Sequence, residues 1–298
     1  MAPALPPFGE IRDDLPGVDF TVKPVFRQRK SAFVRLFTKT PPGVRCPHFY
    51  ELVLSNGCPY NCTYCYLQLT FRGEKRPVLF TNPWQTVRKE LEAVGDGVFS
   101  TGELSDSLAV VPPLLTSAID YFCRQTEKYL LLTTKSCDVS FFESLEPTPQ
   151  VIISFSVNAQ EIASRFEKFA PPPIARLKAA AKLLERGWRV RIRLDPIIWE
   201  DDSSSYYRIC QEIRALKPER VTIGMLRQYP GLFRFAPHAP RKNLYKAPDG
   251  RMRYPISVRL HAYKLIAEWL GFQPALCKET NDVWQALGWT FYGCNCTL

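Results

Sequence analysis

HFYELVLSNGCPYNCTYCY, residues 48–66, runs from an apolar, β-rich segment straight into a loop with cysteines at 58, 62 and 65. The segment His48–Ser55 predicts a strand. Gly57, Pro59 and Asn61 mark the cysteine loop as turn-rich. Thiolates are the usual ligands of iron–sulfur clusters. Spacings of four and three residues let one loop reach three corners of an iron–sulfur cube. No fourth cysteine comes at ferredoxin-like spacing, which leaves one iron an open position, as a catalytic metal centre requires. A structural zinc with Cys46 or His48 as fourth ligand is the competing reading. Zinc modules show two paired C-x2-C units, and only one is present here.

Beyond this loop, strands and helices alternate. Asn82-Pro83 reads as a helix cap opening a helix to about Val94. GVFST (97–101), YLLLTTK (129–135) and VIISFSV (151–157) read as strands. Pro112 to about Lys128 and Pro171 to Arg186 read as helices, the second ending at Gly187. In RVRIRL (189–194), Val190, Ile192 and Leu194 alternate with Arg189, Arg191 and Arg193. The apolar face predicts packing on helices and the arginine face a polar lumen; an exposed edge strand is the alternative. A helix over Ser203–Leu216 and a strand VTIGML (221–226) complete six strands separated by helices. That order is α/β with a parallel sheet, expected as a partial, open (β/α)6 barrel of the TIM type. An amphipathic helix is expected over Ile256–Leu270 and a short one near Asp282–Leu287. Three regions result: a Pro-rich arm over 1–45, a core over 46–226, and an extension over 227–298 that completes the substrate side.

The net charge of +10 belongs to two segments. Lys23–Arg45 holds seven Lys/Arg and no acid; Arg227–Lys264 holds nine and one acid, Asp249. The rest of the 298 residues holds 23 basic and 28 acidic side chains. Both basic segments interleave aromatics, among them Phe26, Phe33, Phe37, Tyr229, Phe233 and Tyr245. Positive charge attracts phosphate and aromatic faces stack on unpaired bases, so DNA or another phosphorylated substrate is expected. Solvated basic loops are the plain alternative. The first residues carry no basic stretch followed by an apolar one, and no apolar run reaches the ~20 residues of a membrane span. A cytoplasmic protein without membrane contact is expected, in which ten cysteines point to metal or redox chemistry rather than disulfides.

The C-x3-C-x2-C spacing after a strand resembles that of the radical S-adenosylmethionine (SAM) superfamily. The resemblance implies a [4Fe–4S] cluster on Cys58, Cys62 and Cys65, with SAM chelating the open iron. It implies reductive cleavage of SAM to a 5′-deoxyadenosyl radical that abstracts a carbon-bound hydrogen, with electrons from a donor such as flavodoxin or ferredoxin. Within the superfamily the chain resembles the spore photoproduct lyases, which repair a thymine dimer in DNA. Cys62 to Gln68 (CTYCYLQ) resembles their cluster loop, and the resemblance assigns a radical relay to Tyr64 and Tyr66. Phe99 to Asp106 (FSTGELSD) resembles the loop after the second strand. Thr133-Thr134-Lys135 and Phe155-Ser156-Val157-Asn158 resemble strand ends that contact SAM. ETNDVW (279–284) echoes a C-terminal segment of the lyases.

On this basis Thr101, Gly102, Glu103, Ser105, Lys135, Ser156 and Asn158 are expected to bind SAM. Tyr64, Tyr66 and Glu103 are expected to be catalytic. One departure stands out. The lyases carry a hydrogen-donating cysteine where this chain has Glu103, and a carboxylic O–H is too strong a bond for that role. Thr101-Gly102-Glu103 instead resembles the Gly-Gly-Glu segment that binds SAM's amino group, where a carboxylate pairs with an ammonium. Cys123 and Cys137 are alternative donors. Two further readings stay open: dimer repair with a different donor, and a zinc-containing nucleic-acid-binding protein without catalysis. Cys277, Cys294 and Cys296 read as core thiols or, with Cys46, as ligands of a second metal. His238 and His261 read as structural.

Overall fold

The computed structural model describes residues 23–74, 76–200 and 204–298. Its spine is an eight-stranded sheet whose strands lie side by side in chain order. Six parallel core strands form the middle: Tyr50–Leu52, Gly97–Ser100, Lys128–Thr134, Val151–Val157, Arg189–Ile197 and Arg220–Met225. Val34–Leu36 adds antiparallel to the first, and Ala275–Leu276 adds parallel to the sixth. The helices Trp84–Glu92, Leu115–Phe122, Pro173–Glu185 and Ser204–Leu216 carry the chain back between strands, as parallel pairing demands. Among the described residues no helix is long and apolar enough to cross a membrane. The expected α/β order of six strands and helices therefore stands.

The apolar periodicity lands where it should. Leu115, Ala118, Ile119 and Phe122 are buried along one helix face, and Val190, Ile192 and Leu194 lie in the same core. The 151–157 strand is buried at every position, as a strand covered on both faces must be. Two details differ from expectation. Asn82 does not cap its helix; its side chain clasps the arm, accepting from Arg29 N at 2.7 Å and donating to Arg29 O at 3.1 Å. The helix expected over 112–128 spans only Leu115–Phe122. Lys128 already opens the next strand and donates from Nζ to Leu91 O and Val94 O, at 2.6 and 2.8 Å. There its charge meets the negative end of the Trp84–Glu92 helix.

The arginine face of 189–194 is not an exposed edge, because the strand pairs on both sides, with 151–157 and 220–225. The C-terminal tail covers that face. Arg191 is fully buried and donates to Asn295 O at 2.7 Å and to Glu219 Oε1 at 2.8 Å. Arg220 donates to Cys294 O at 2.8 Å. The predicted helix at Ile256–Leu270 is present in full, and Glu279, buried against Arg253, Arg259 and the Tyr263 hydroxyl, locks it to the tail.

Candidate functional site: a thiol-lined cavity at the strand ends

In a parallel sheet all carboxyl ends of the strands share one rim, and the loops beyond them meet there. The cysteine loop comes after the first core strand, FSTGELSD after the second, Lys135 after the third, and Ser156 closes the fourth. Gly57 ties the first two together: its N–H donates to Leu104 O at 2.8 Å, and it bridges to Ser105. At φ 78° Gly57 sits in left-handed backbone, and a Cβ there would stand 2.7 Å from Arg76 O. Only glycine fits. The other flank of the loop is pinned by Thr63 N to Phe166 O at 2.9 Å and Phe169 N to Tyr60 O at 3.2 Å.

These loops enclose a cavity of about 460 Å³. Cys58, Cys62, Cys65, Tyr64, Tyr66, Gly102, Glu103, Ser105, Lys135 and Ser156 all line it, so ten of the twelve expected site residues share one space. Thr101 and Asn158 do not reach it. The Thr101 hydroxyl shares a 2.6 Å hydrogen bond with Ser107, and the Asn158 amide bonds Pro196 O, Ala159 N and the Tyr206 hydroxyl. Both brace the wall from behind. Gly102 has no room for a side chain: a Cβ would lie 2.5 Å from Thr133 Cβ. Glu103 extends to within 4.0 Å of Lys278 Nζ. Burial pushes the thiols of Cys58, Cys62 and Cys65 up from their ordinary range. Among the described residues no three His, Cys, Asp or Glu side chains gather around one ion-sized point. A cube, in contrast to a single ion, takes one thiol per iron.

Behind Tyr64 stands a charged group that the motifs do not reveal. The Tyr64 hydroxyl donates to Glu167, which also pairs with the fully buried Arg176 and lies 3.7 Å from Lys135 Nζ. Burial alone would raise the Glu167 carboxyl, but Lys135 and Arg176 outweigh it and hold it down at about 2. A signal for it does exist in the sequence. Arg176 interrupts an otherwise apolar stripe of Pro173, Ala180 and Leu183, and a charge in such a stripe needs a buried partner. Asp106 also does more than mark a motif. It accepts from Leu108 N, Ala109 N, the Thr134 hydroxyl and Lys135 N, joining the second strand's loop to the end of the third strand.

The far wall comes from beyond the motifs. Asp195 pairs with Arg193 and Arg227, which hold its carboxyl well below the usual range against the opposing effect of burial. Both arginines also reach the Cys277 sulfur, at 3.5 and 3.2 Å. Cys46, Cys294 and Cys296 open on the same space. These four thiols read from sequence as core or second-metal residues; the fold gathers them on the same cavity as the cysteine loop.

A three-thiol loop on the carboxyl rim of a parallel sheet, facing a glycine–glutamate loop, is the arrangement of the radical SAM class, and this protein falls within it. The family is narrower still. The family model for spore photoproduct lyase matches residues 27–228, and the chain belongs to that family. A spore photoproduct lyase of Clostridium acetobutylicum is 23% identical over 175 residues, covering 55% of this chain and 51% of that protein. The chain spans about half the length of the curated relatives it matches. Among solved structures, a spore photoproduct lyase complexed with dinucleoside spore photoproduct is similar with a TM-score of 0.69 at 18% identity, covering 86% of this chain and 81% of that one. A double mutant of the lyase with bound AdoMet and dinucleoside spore photoproduct gives 0.69 at 17%, covering 88% and 83%.

Proposed function

We propose that this chain is a radical SAM enzyme of the spore photoproduct lyase kind, abstracting a carbon-bound hydrogen from a nucleic-acid-like or otherwise phosphorylated substrate. The observation that carries the reading is the convergence of the cysteine loop, Gly102-Glu103, Ser105, Lys135 and Ser156 on one cavity. The donor set suits an iron–sulfur cube: three thiols from one short loop, shielded from water, with no fourth loop thiol competing for the remaining corner. Cys58, Cys62 and Cys65 would hold it. Bound there, a [4Fe–4S] cluster supplies the electron that cleaves SAM reductively to a 5′-deoxyadenosyl radical.

The chain's own residues do the rest. Glu103 offers a carboxylate to an ammonium, and the bare Cα of Gly102 lets its loop pack closely on Thr133 at the cavity wall. Lys135 is held at the rim by Glu167, and Tyr64 is fixed by the same carboxylate. Tyr66 stays open to the cavity. Glu103 brings no thiol-strength hydrogen, so the proposal stops at hydrogen abstraction. Eight Lys/Arg against four Asp/Glu line the cavity, with Phe37, Phe49 and Tyr229 among them, a surface suited to phosphate and base together. The solved lyase relatives bind a dinucleoside, which supports this substrate class. In this reading the six core strands act as a partial barrel, the 227–298 extension closes the substrate side, and a flavodoxin- or ferredoxin-type donor brings the electron.

The test is anaerobic reconstitution with iron and sulfide, reduction, and chromatography for 5′-deoxyadenosine formed from SAM. Turnover by the wild type and none by Cys62→Ala is the expected result. A filled cluster that forms no 5′-deoxyadenosine ends the proposal.

A further inference from the structure

Cys294 and Cys296 take no part in the proposed hydrogen abstraction, yet the fold positions them with care. Thr297 N donates to Cys294 O at 3.2 Å, closing a turn with the two cysteines at its first and third positions. The Thr297 hydroxyl accepts from Cys294 N at 2.8 Å. Arg220 donates to Cys294 O and Thr297 O, at 2.8 and 2.9 Å, and Arg191 to Asn295 O and Thr297 O, at 2.7 and 2.5 Å. The Ser154 hydroxyl holds the Asn295 side chain at 2.7 Å. Three backbone carbonyls of this short tail, those of Cys294, Asn295 and Thr297, are thus clamped by a buried or half-buried cation.

The clamp has a chemical consequence. Extended chain separates alternate Cα atoms by about 7 Å, at the edge of what a disulfide spans. The turn folds them closer. Both thiols line the cavity, so a small reagent reaches them from the side the cysteine loop faces. Its neighbour Cys296 draws the Cys294 thiol below its ordinary range, while Cys294 and burial push the Cys296 thiol up, the split expected of a reactive dithiol pair. Cys277, the next thiol, is engaged instead by Arg193 and Arg227.

We propose that Cys294 and Cys296 are a redox-active dithiol on the cavity wall, exchanging with small-molecule disulfides. One thiolate attacks a sulfur of the disulfide R–S–S–R and displaces one R–S⁻, forming a mixed disulfide. The second thiolate attacks the protein sulfur of that bond and displaces the other R–S⁻. The two protons leaving the cysteines end on the two RSH products. The protein pair is oxidised by two electrons and the reagent reduced by two. Reduced, the pair presents two S–H groups to whatever occupies the cavity; oxidised, the pair presents none.

Trypsin cuts after Lys278 and nowhere later, so peptide 279–298 contains these two cysteines and no others. The reconstituted protein is equilibrated anaerobically in glutathione buffers of rising oxidised-to-reduced ratio, trapped with an alkylating agent, digested and weighed. The expected result is a peptide two hydrogens lighter and unalkylated, at a ratio at least about tenfold lower than for the same chain unfolded in urea. Thr297→Val, which removes the hydroxyl that accepts from Cys294 N and Arg220 and so loosens the turn, moves that ratio back toward the unfolded value. Cys277→Ser leaves it unchanged. Equal ratios for folded and unfolded chain, a peptide carrying only glutathione, or double alkylation throughout overturns the proposal. Cys58, Cys62 and Cys65 lie in a different tryptic peptide, so failure here is distinguishable from failure of the cluster assignment.

Discussion

Glu167→Gln separates the charge behind Tyr64 from its shape. Glu167 is completely buried, as is its partner Arg176. Removing one member of such a pair leaves an uncompensated buried charge, which costs ~3–5 kcal/mol. The depressed carboxyl gives a second figure. A folded value of about 2 against ~4.3 unfolded is roughly two units, or ~3 kcal/mol of stability at neutral pH. At ~2–4 °C per kcal/mol the variant should melt about 6–12 °C below wild type at pH 7. A carboxyl whose folded value is depressed contributes above its unfolded value and loses that contribution as pH falls through the folded one. The gap between the two proteins should therefore narrow from about pH 5 downward and roughly halve by about pH 3. Thermal unfolding by circular dichroism across that range is the assay. An unchanged melting temperature at pH 7, or a gap that is constant or wider in acid, refutes the reasoning.

Gly102→Ala drives a methyl group against Thr133 and should lose ~1–3 kcal/mol of stability, read by denaturant unfolding; the same variant should bind SAM more weakly by calorimetry on reconstituted protein. Arg191→Leu strips two donors from the tail, and amide hydrogen exchange at 294–297 should rise at least about tenfold while that of the 151–157 strand stays protected.

Much of this is legible in the sequence because strong periodicity and a strong motif coincide. The 151–157 strand and the 256–270 helix match their expected bounds, since long apolar or amphipathic runs leave few alternatives. The 115–122 helix is shorter than its expected span, and Lys128, expected at its end, opens the next strand and caps the Trp84–Glu92 helix instead. The arginine alternation at 189–194 does mark two faces, but what covers the charged face arrives from a hundred residues downstream. Thr101 and Asn158 show the limit of motif transfer. Both sit beside cavity residues, and their side chains are turned to hydrogen bonds in the wall. The four thiols of the cavity wall depend on contacts between distant segments, which no local pattern announces, whereas of the Glu167–Arg176 pair the buried Arg176 is signalled by its place in an apolar stripe.

The central claim is that Cys58, Cys62 and Cys65 hold an iron–sulfur cube with one open corner. Electron paramagnetic resonance of the reduced, reconstituted protein, paired with iron and sulfide analysis, tests it most directly. The account predicts a cluster signal that changes shape when SAM is added and vanishes in the Cys58→Ala, Cys62→Ala and Cys65→Ala variants. A colourless protein that takes up zinc but no iron, or a cluster signal indifferent to both SAM and those substitutions, contradicts it.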